Sequence, residues 1–267
     1  MDSVAYATKE WLEEHGATCV PLSYHFQGES KPEEKPGEFA PFFRAFQESD
    51  EWPTTSQPPV GVFQEVFDRL TANGDEVICI TLSQKISGTY NAAMLARAQS
   101  RSEQIFVIDS TLAAAPELYL AELAYQAGKE GKPGAEIAEE LQQVIPELRF
   151  YILVDTLDYL RRGGRIGTVS AALGNILHIR PIITFHEGAL TSLDKVRGAK
   201  KAVEKIIDSI PEDARWIRVQ HVLAADKAEE ILARLRASHP KADVGPAEIG
   251  PVLGIHVGPG TIGVAFR

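Results

Sequence analysis

The sequence predicts a two-part α/β protein, parallel in its first half and no longer parallel in its second, and three observations lead there. Residues 77–82, 105–108 and 150–154 form short apolar runs without alternation, the pattern of strands covered on both faces of a parallel sheet. Helical spacing separates the runs, with Phe63, Val66, Phe67 and Leu70 before the first and Ile137, Leu141 and Val144 before the third. After about residue 155 the texture changes: residues 180–185 and 189–196 flank a His-Glu-Gly turn, which predicts an antiparallel hairpin. At 267 residues the chain exceeds the usual single-domain size, so we divide it into residues 1–150 and 151–267, with the boundary between Leu148 and Asp155.

Each remaining element follows from local pattern. Residues 27–37 are rich in Pro and Glu and predict a solvated loop. The cluster Phe39, Phe42, Phe43 and Phe46 that follows is either core or a lid over an apolar ligand. Beyond the hairpin come a helix through Val203, Ile206, Ile207 and Ile210, a strand over 216–221, and a helix through Ala228, Ile231 and Leu235. A terminal strand is expected to finish the chain, and His256, after Ile255, is expected in an apolar strand of that last segment.

Composition removes several function classes. With 44% hydrophobic and 24% charged residues the chain is ordinary globular protein, so it folds around a substantial core. A net charge of −10 argues against general affinity for nucleic acid or an anionic membrane, both of which demand a basic face. No basic start precedes an apolar stretch, and no run approaches the ~18 apolar residues of a membrane helix. The expected location is the cytoplasm. Cys19 and Cys79 are far apart in apolar surroundings and are expected to be buried thiols. The seven histidines are scattered, so no metal is expected. Gly258-Pro259-Gly260-Thr261-Ile262-Gly263 matches a dinucleotide fingerprint, yet only four residues follow it, too few for the helix that would receive a pyrophosphate.

In a parallel α/β sheet ligands collect beyond the carboxyl ends of strands. The residues there are mostly hydroxyls and aspartates: Ser83 to Thr89 after the first run, Asp109-Ser110-Thr111 after the second, Asp155-Thr156 after the third. Thr54-Thr55-Ser56-Gln57 precedes another helix in the same way. Ser, Thr and Asp are also the preferred N-caps, so these residues either merely start helices or, if the starts converge, aim N–H groups at one shared anion.

At these motifs the chain resembles the DegV family. The resemblance runs through Asp2-Ser3, Thr55-Ser56-Gln57-Pro58, Ser87-Gly88-Thr89-Tyr90, Asp109-Ser110 and the run Asp155-Thr156-Leu157-Asp158-Tyr159-Leu160-Arg161-Arg162-Gly163-Gly164-Arg165-Ile166. It continues through Arg180-Pro181-Ile182, Lys195-Val196-Arg197 and His256-Val257-Gly258-Pro259-Gly260. Such resemblance implies bacterial fatty-acid-binding proteins that serve as the lipid-carrying subunit of a fatty-acid kinase, not as enzymes themselves. It implies an N-terminal α/β/α domain with a parallel sheet and a C-terminal two-layer α/β domain with a mixed sheet, an acyl chain being buried between or within them. Carried over by motif, the carboxylate ligands are Thr55, Ser87 and His256, with Ser56 and Gly88 beside them and Ser3, Thr89, Asp109 and Arg165 as further candidates. Two departures stand out. The family pattern has a strand leading into Asp-Ser, whereas Asp2 follows Met1 directly, so that strand is missing or the start is truncated. Ala113-Ala114-Ala115-Pro116 stands in place of a glycine-containing stretch and is expected to reshape the tunnel wall.

The physics of that role is simple. Palmitate, or another chain of roughly C14 to C18, buries about 14 methylenes at ~0.8 kcal/mol each, roughly 11 kcal/mol before the cost of immobilising the ligand. Hydroxyls, helix-start N–H groups and an imidazole satisfy the carboxylate and orient it. His256 has an alternative as a satisfied core histidine, and residues 160–166 as a helix ending in a glycine turn with solvated arginines. Alternatively Arg161, Arg162 and Arg165, with Arg180, Arg197, Lys200 and Lys201, form a basic face that docks an acidic kinase subunit. The competing function is a serine hydrolase acting on an acyl ester, using Ser87 or Ser83 with His256 and Asp109. The nucleophile-elbow pattern GxSxG is absent from the sequence.

Overall fold

The computed structural model describes residues 1–33, 35–100, 102–172 and 179–267, and the side chains of residues 170–172, 179 and 180 lie outside that description. The first half contains α1 (Lys9–Glu14), β1 (Ser23–Phe26), β2 (Glu29–Pro32), α2 (Ala40–Glu48), β3 (Thr54–Ser56), α3 (Val60–Thr71), β4 (Val77–Thr81), α4 (Thr89–Gln99), β5 (Ile105–Asp109), α5 (Ala115–Lys129) and α6 (Gly134–Val144). The second contains β6 (Arg149–Leu153), α7 (Asp158–Arg162), β7 (Ile179–His186), β8 (Ala189–Arg197), α8 (Ala199–Asp208), β9 (Trp216–His221), α9 (Ala225–Ser238), β10 (Asp243–Glu248), α10 (Pro251–Val257) and β11 (Ile262–Phe266).

β4 and β5 pair in parallel, Val77 opposite Ile105 through Thr81 opposite Asp109. Their side chains alternate between two helical layers, which explains the unbroken apolar runs. Val77, Cys79, Ile105 and Val107 pack with Phe63, Phe67 and Ala92 of α3 and α4. Ile80 and Ile108 pack with Leu120, Ile137 and Leu141 of α5 and α6. The chain start extends this pair: Asp2 forms a parallel bridge with Val20, and its amide donates to the Ile80 carbonyl at 3.3 Å. Residues 1–3 thus lie beside β4.

The run at 150–154 corrects the expectation of a third parallel strand. β6 lies inside a six-stranded mixed sheet of order β10-β9-β11-β6-β7-β8, antiparallel to both β11 and β7. Its run is continuous because both faces are covered here too. Leu153 joins Ile182, Ile206, Ile217 and Leu232 under α8 and α9, while Phe150 and Ile152 face the first half of the chain. The cut between residues 150 and 151 falls within β6.

Two further expectations are corrected. Residues 27–37 are not all solvated loop: they include β2 of a small antiparallel sheet, β2-β1-β3, and the buried Glu33 that follows it. His256 sits in the helix α10, not a strand, because Pro251 presets the first turn and Gly258, at φ 81°, ends it. The phenylalanine cluster forms α2, whose Phe42, Phe43 and Phe46 are buried; a side chain at Gly254 of α10 would strike the ring of Phe43, so the two helices meet closely there. Cys79 is buried as expected, and Cys19 is partly accessible.

Candidate functional site

A cavity of about 290 Å³ lies where β3, the loop after β4, one face of the mixed sheet and α10 come together. Leu82, Phe150, Ile152, Phe185, Leu190 and Val252 supply apolar wall. Thr55, Ser56, Gln57, Ser87, Gly88 and His256 bring polar atoms to it, and Arg165 is exposed at its rim. The four stretches that supply these polar groups are 201 residues apart at the extremes, yet Thr55 Oγ1 and His256 Nε2 hydrogen-bond at 2.9 Å.

Each polar group is fixed by its element. Thr55 stands opposite Tyr24 in the antiparallel pair of β1 with β3, which turns its hydroxyl to α10. Ser87 and Gly88 precede α4, at the positive end of its dipole. Ser87 Oγ accepts from the Thr89 amide at 3.3 Å and shares a hydrogen with Thr89 Oγ1 at 2.9 Å. A Cβ at Gly88 would overlap the amide of the exposed Gln57 side chain, which would have to swing aside. Arg165 donates to the carbonyls of Ile86 at 3.2 Å and Gly163 at 2.6 Å, tying the turn after α7 to the Ser87 loop.

His256 is the electrostatic centre of this group. Burial, and then the nearby Arg165 guanidinium, push it down to about 4, so its ring is neutral at physiological pH. Its Nδ1 has no hydrogen-bond partner among the described residues and is pressed against Gly163, where a Cβ would collide with it. A neutral imidazole whose proton is on Nε2 donates to Thr55, and the Thr55 hydroxyl hydrogen is then free to point into the cavity.

The structure places Thr55, Ser56, Ser87, Gly88, His256 and Arg165 on the cavity, and Ser3, Thr89 and Asp109 outside its lining. Ser3 is buried on another network, donating to Glu33 at 3.3 Å and accepting from the Leu22 amide at 2.9 Å. Glu33 in turn accepts from the Val252 amide at 2.7 Å and so anchors the start of α10. Thr89 supports Ser87 from behind, and Asp109 holds the Gln84 side chain and the Thr111 amide. The hydrolase constellation is not assembled: Ser83 donates to the Gly188 carbonyl at 2.7 Å, Asp109 bonds Gln84, and the His256 atom that a triad acid should hold faces Gly163.

Sequence reasoning passed over Gln57, although it lies inside the Thr-Ser-Gln-Pro motif, and Gly163, whose need for a missing side chain is visible only in three dimensions. In the proposed basic face, Arg161 pairs with Asp158 at 2.9 Å and Arg162 lies over the Trp52 ring at 4.6 Å. Arg197, Lys200 and Lys201 are exposed, and the Arg180 side chain lies outside the described residues. Among the described residues no group of His, Cys, Asp and Glu is arranged to hold a metal, and no helix is long and apolar enough to cross a membrane.

The DegV family model matches residues 1–267. A DegV domain-containing protein of Halalkalibacterium halodurans is 35% identical over 271 residues, covering 99% of this chain and 96% of its own. The crystal structure of DegV, a fatty acid binding protein from Bacillus subtilis, superposes with a TM-score of 0.91 at 31% identity, covering 99% of this chain and 96% of that one. A DegV lipid binding protein from Thermotoga maritima does so with a TM-score of 0.87 at 31% identity, covering 100% and 96%. The chain belongs to the DegV family.

Proposed function

We propose that this protein binds one long-chain fatty acid, its acyl chain in the apolar cavity and its carboxylate on Thr55 and Ser87, with His256 acting through its bond to the Thr55 hydroxyl and with Ser56 and the Gly88 amide beside them. The observation that supports this most strongly is the meeting of the neutral His256 with Thr55 beside the Ser87-Gly88 helix start, on a cavity whose other walls are apolar. Neutral donors suit a carboxylate that must be held and later released: they satisfy its oxygens without the bidentate grip of an arginine. Arg165 at the rim adds attraction for an anion while staying engaged with two carbonyls. The fatty-acid- and lipid-binding relatives support the same reading.

The role that follows is a carrier in the cytoplasm, without a cofactor or metal of its own, that presents the carboxylate to a separate kinase for conversion to an acyl phosphate. Its docking face is the exposed turn carrying Arg161, Arg162 and Arg165. The division into two domains, with the ligand between them, belongs to the same proposal. Ser87→Ala tests the head-group assignment: loss of one hydrogen bond to a charged group costs about 1.5–3 kcal/mol, roughly tenfold to a hundredfold in Kd. Unchanged affinity removes Ser87 from the carboxylate site. Covalent labelling of Ser87 by a fluorophosphonate probe points instead to acyl-ester hydrolysis.

A further inference from the structure

The mixed sheet meets the candidate cavity through two aromatic rings that also belong to a second cavity. Phe150 of β6 and Phe185 of β7 stack with centroids 6.1 Å apart and planes 10° from parallel. They line the cavity of about 290 Å³ on one side and a cleft of about 470 Å³ on the other, and they are the two residues the two linings share. The second cleft opens beside the β7–β8 turn, where His186 and Glu187 are exposed. Along β6 the polar rim lies at the opposite end: the strand continues from Leu153 to α7 and Arg165, leaving Phe150 about 10 Å back at the usual rise per residue. The Phe150 ring has its place because Gly263 of β11 has no side chain; a Cβ there would meet the ring at 2.6 Å.

We infer that the Phe150–Phe185 pair is a partition that ends the acyl-chain compartment and sets the longest chain this protein accepts, an inference that rests on the fatty-acid reading above. Removing a ring opens the cavity into the second cleft, and the terminal methylenes of a longer chain take up the vacated space. Burial of a phenylalanine side chain is equivalent to burial of about two to four methylenes, so the length limit moves by that number of carbons.

The test is competition binding of a homologous series of saturated fatty acids to the purified full-length protein and to its Phe185→Ala variant. Phe185 is only half buried, which favours retention of the fold. The expected result is a limit about two to four carbons longer in Phe185→Ala, measured relative to the shorter members of the same series. Phe185→Leu, measured alongside, moves the limit in the same direction by less and serves in its place if Phe185→Ala unfolds. An unchanged limit in a folded variant that still binds shorter chains overturns the partition and leaves the fatty-acid reading intact. If the wild type binds no chain of any length, that reading fails and the partition fails with it.

Discussion

Gly163→Ala is the most informative single change in the site. Its backbone, at φ −73° and ψ −5°, is one any residue adopts, so the substitution introduces no torsional strain. In open surroundings it stabilises by about 0.4–1 kcal/mol, because alanine has less freedom to lose on folding. Here the new methyl lands on His256 Nδ1, and the imidazole must move. Moving it breaks the 2.9 Å bond to Thr55 at a partly buried position, a loss of about 1–3 kcal/mol that outweighs the backbone gain. The expected outcome is a net destabilisation of about 1–2 kcal/mol in denaturant titration and fatty-acid affinity weakened roughly tenfold in a displacement assay. Gly164→Ala is the control. Gly164 has φ +70° with nothing near its missing Cβ, so alanine there strains the turn by about 1 kcal/mol and leaves affinity alone. If Gly163→Ala melts and binds like the wild type, the coupling between this glycine, His256 and the ligand head group is wrong.

Three other predictions follow from the same structure. Ala114, fully buried, has φ 66° and ψ −137°, a region that favours glycine, so Ala114→Gly relieves about 1–3 kcal/mol of strain against an entropic loss near 1 kcal/mol and raises Tm by roughly 2–4 °C in calorimetry. Burial, and then the neighbouring Asp2 carboxyl, hold Glu117 well above the carboxylate range, and burial raises Asp2 to about 6. Both then keep protons that the unfolded chain releases, and stability falls as pH rises through that range; Glu117→Gln, which mimics the protonated form, must therefore gain on the wild type as pH rises from 5 to 8. His256 has the opposite sign. Held at about 4 against an ordinary value near 6.5, it refuses a proton that the unfolded chain binds, so its contribution is lost as pH falls from about 6.5 towards 4. An imidazole resonance that titrates near 6.5 in the folded protein contradicts the buried environment assigned to it.

The parts of the fold legible in the sequence were those governed by local periodicity. The runs of β4 and β5, the helical spacing of α3 and α6, and the β7–β8 hairpin around its His-Glu-Gly turn each lie where a period of two, a period of 3.6 or a continuous apolar run predicts. β6 was misplaced because an apolar run reports that both faces are covered and carries no sign of strand direction; an antiparallel strand between two packed layers looks the same. His256 was misplaced because Val252, Leu253, Ile255 and Val257 are apolar in nearly every position, leaving Pro251 and Gly258 as the helix signals. In the site, Thr55, Ser87 and His256 could be named because they sit in short motifs. Glu33 could not. It lies in a Pro-Glu segment that composition marks as solvated, and its role as anchor for α10 arises only when β2 folds it against Ser3 and the Val252 amide.

Whether the cavity holds a fatty acid decides the proposed function. The direct measurement is native mass spectrometry of the purified protein, paired with denaturing analysis of an organic extract from the same sample. The expected result is one fatty acid of roughly C14 to C18 per chain, enough apolar length to yield the hydrophobic gain the cavity wall offers. A protein whose native mass equals that of the bare chain, and which takes up no added fatty acid, contradicts it.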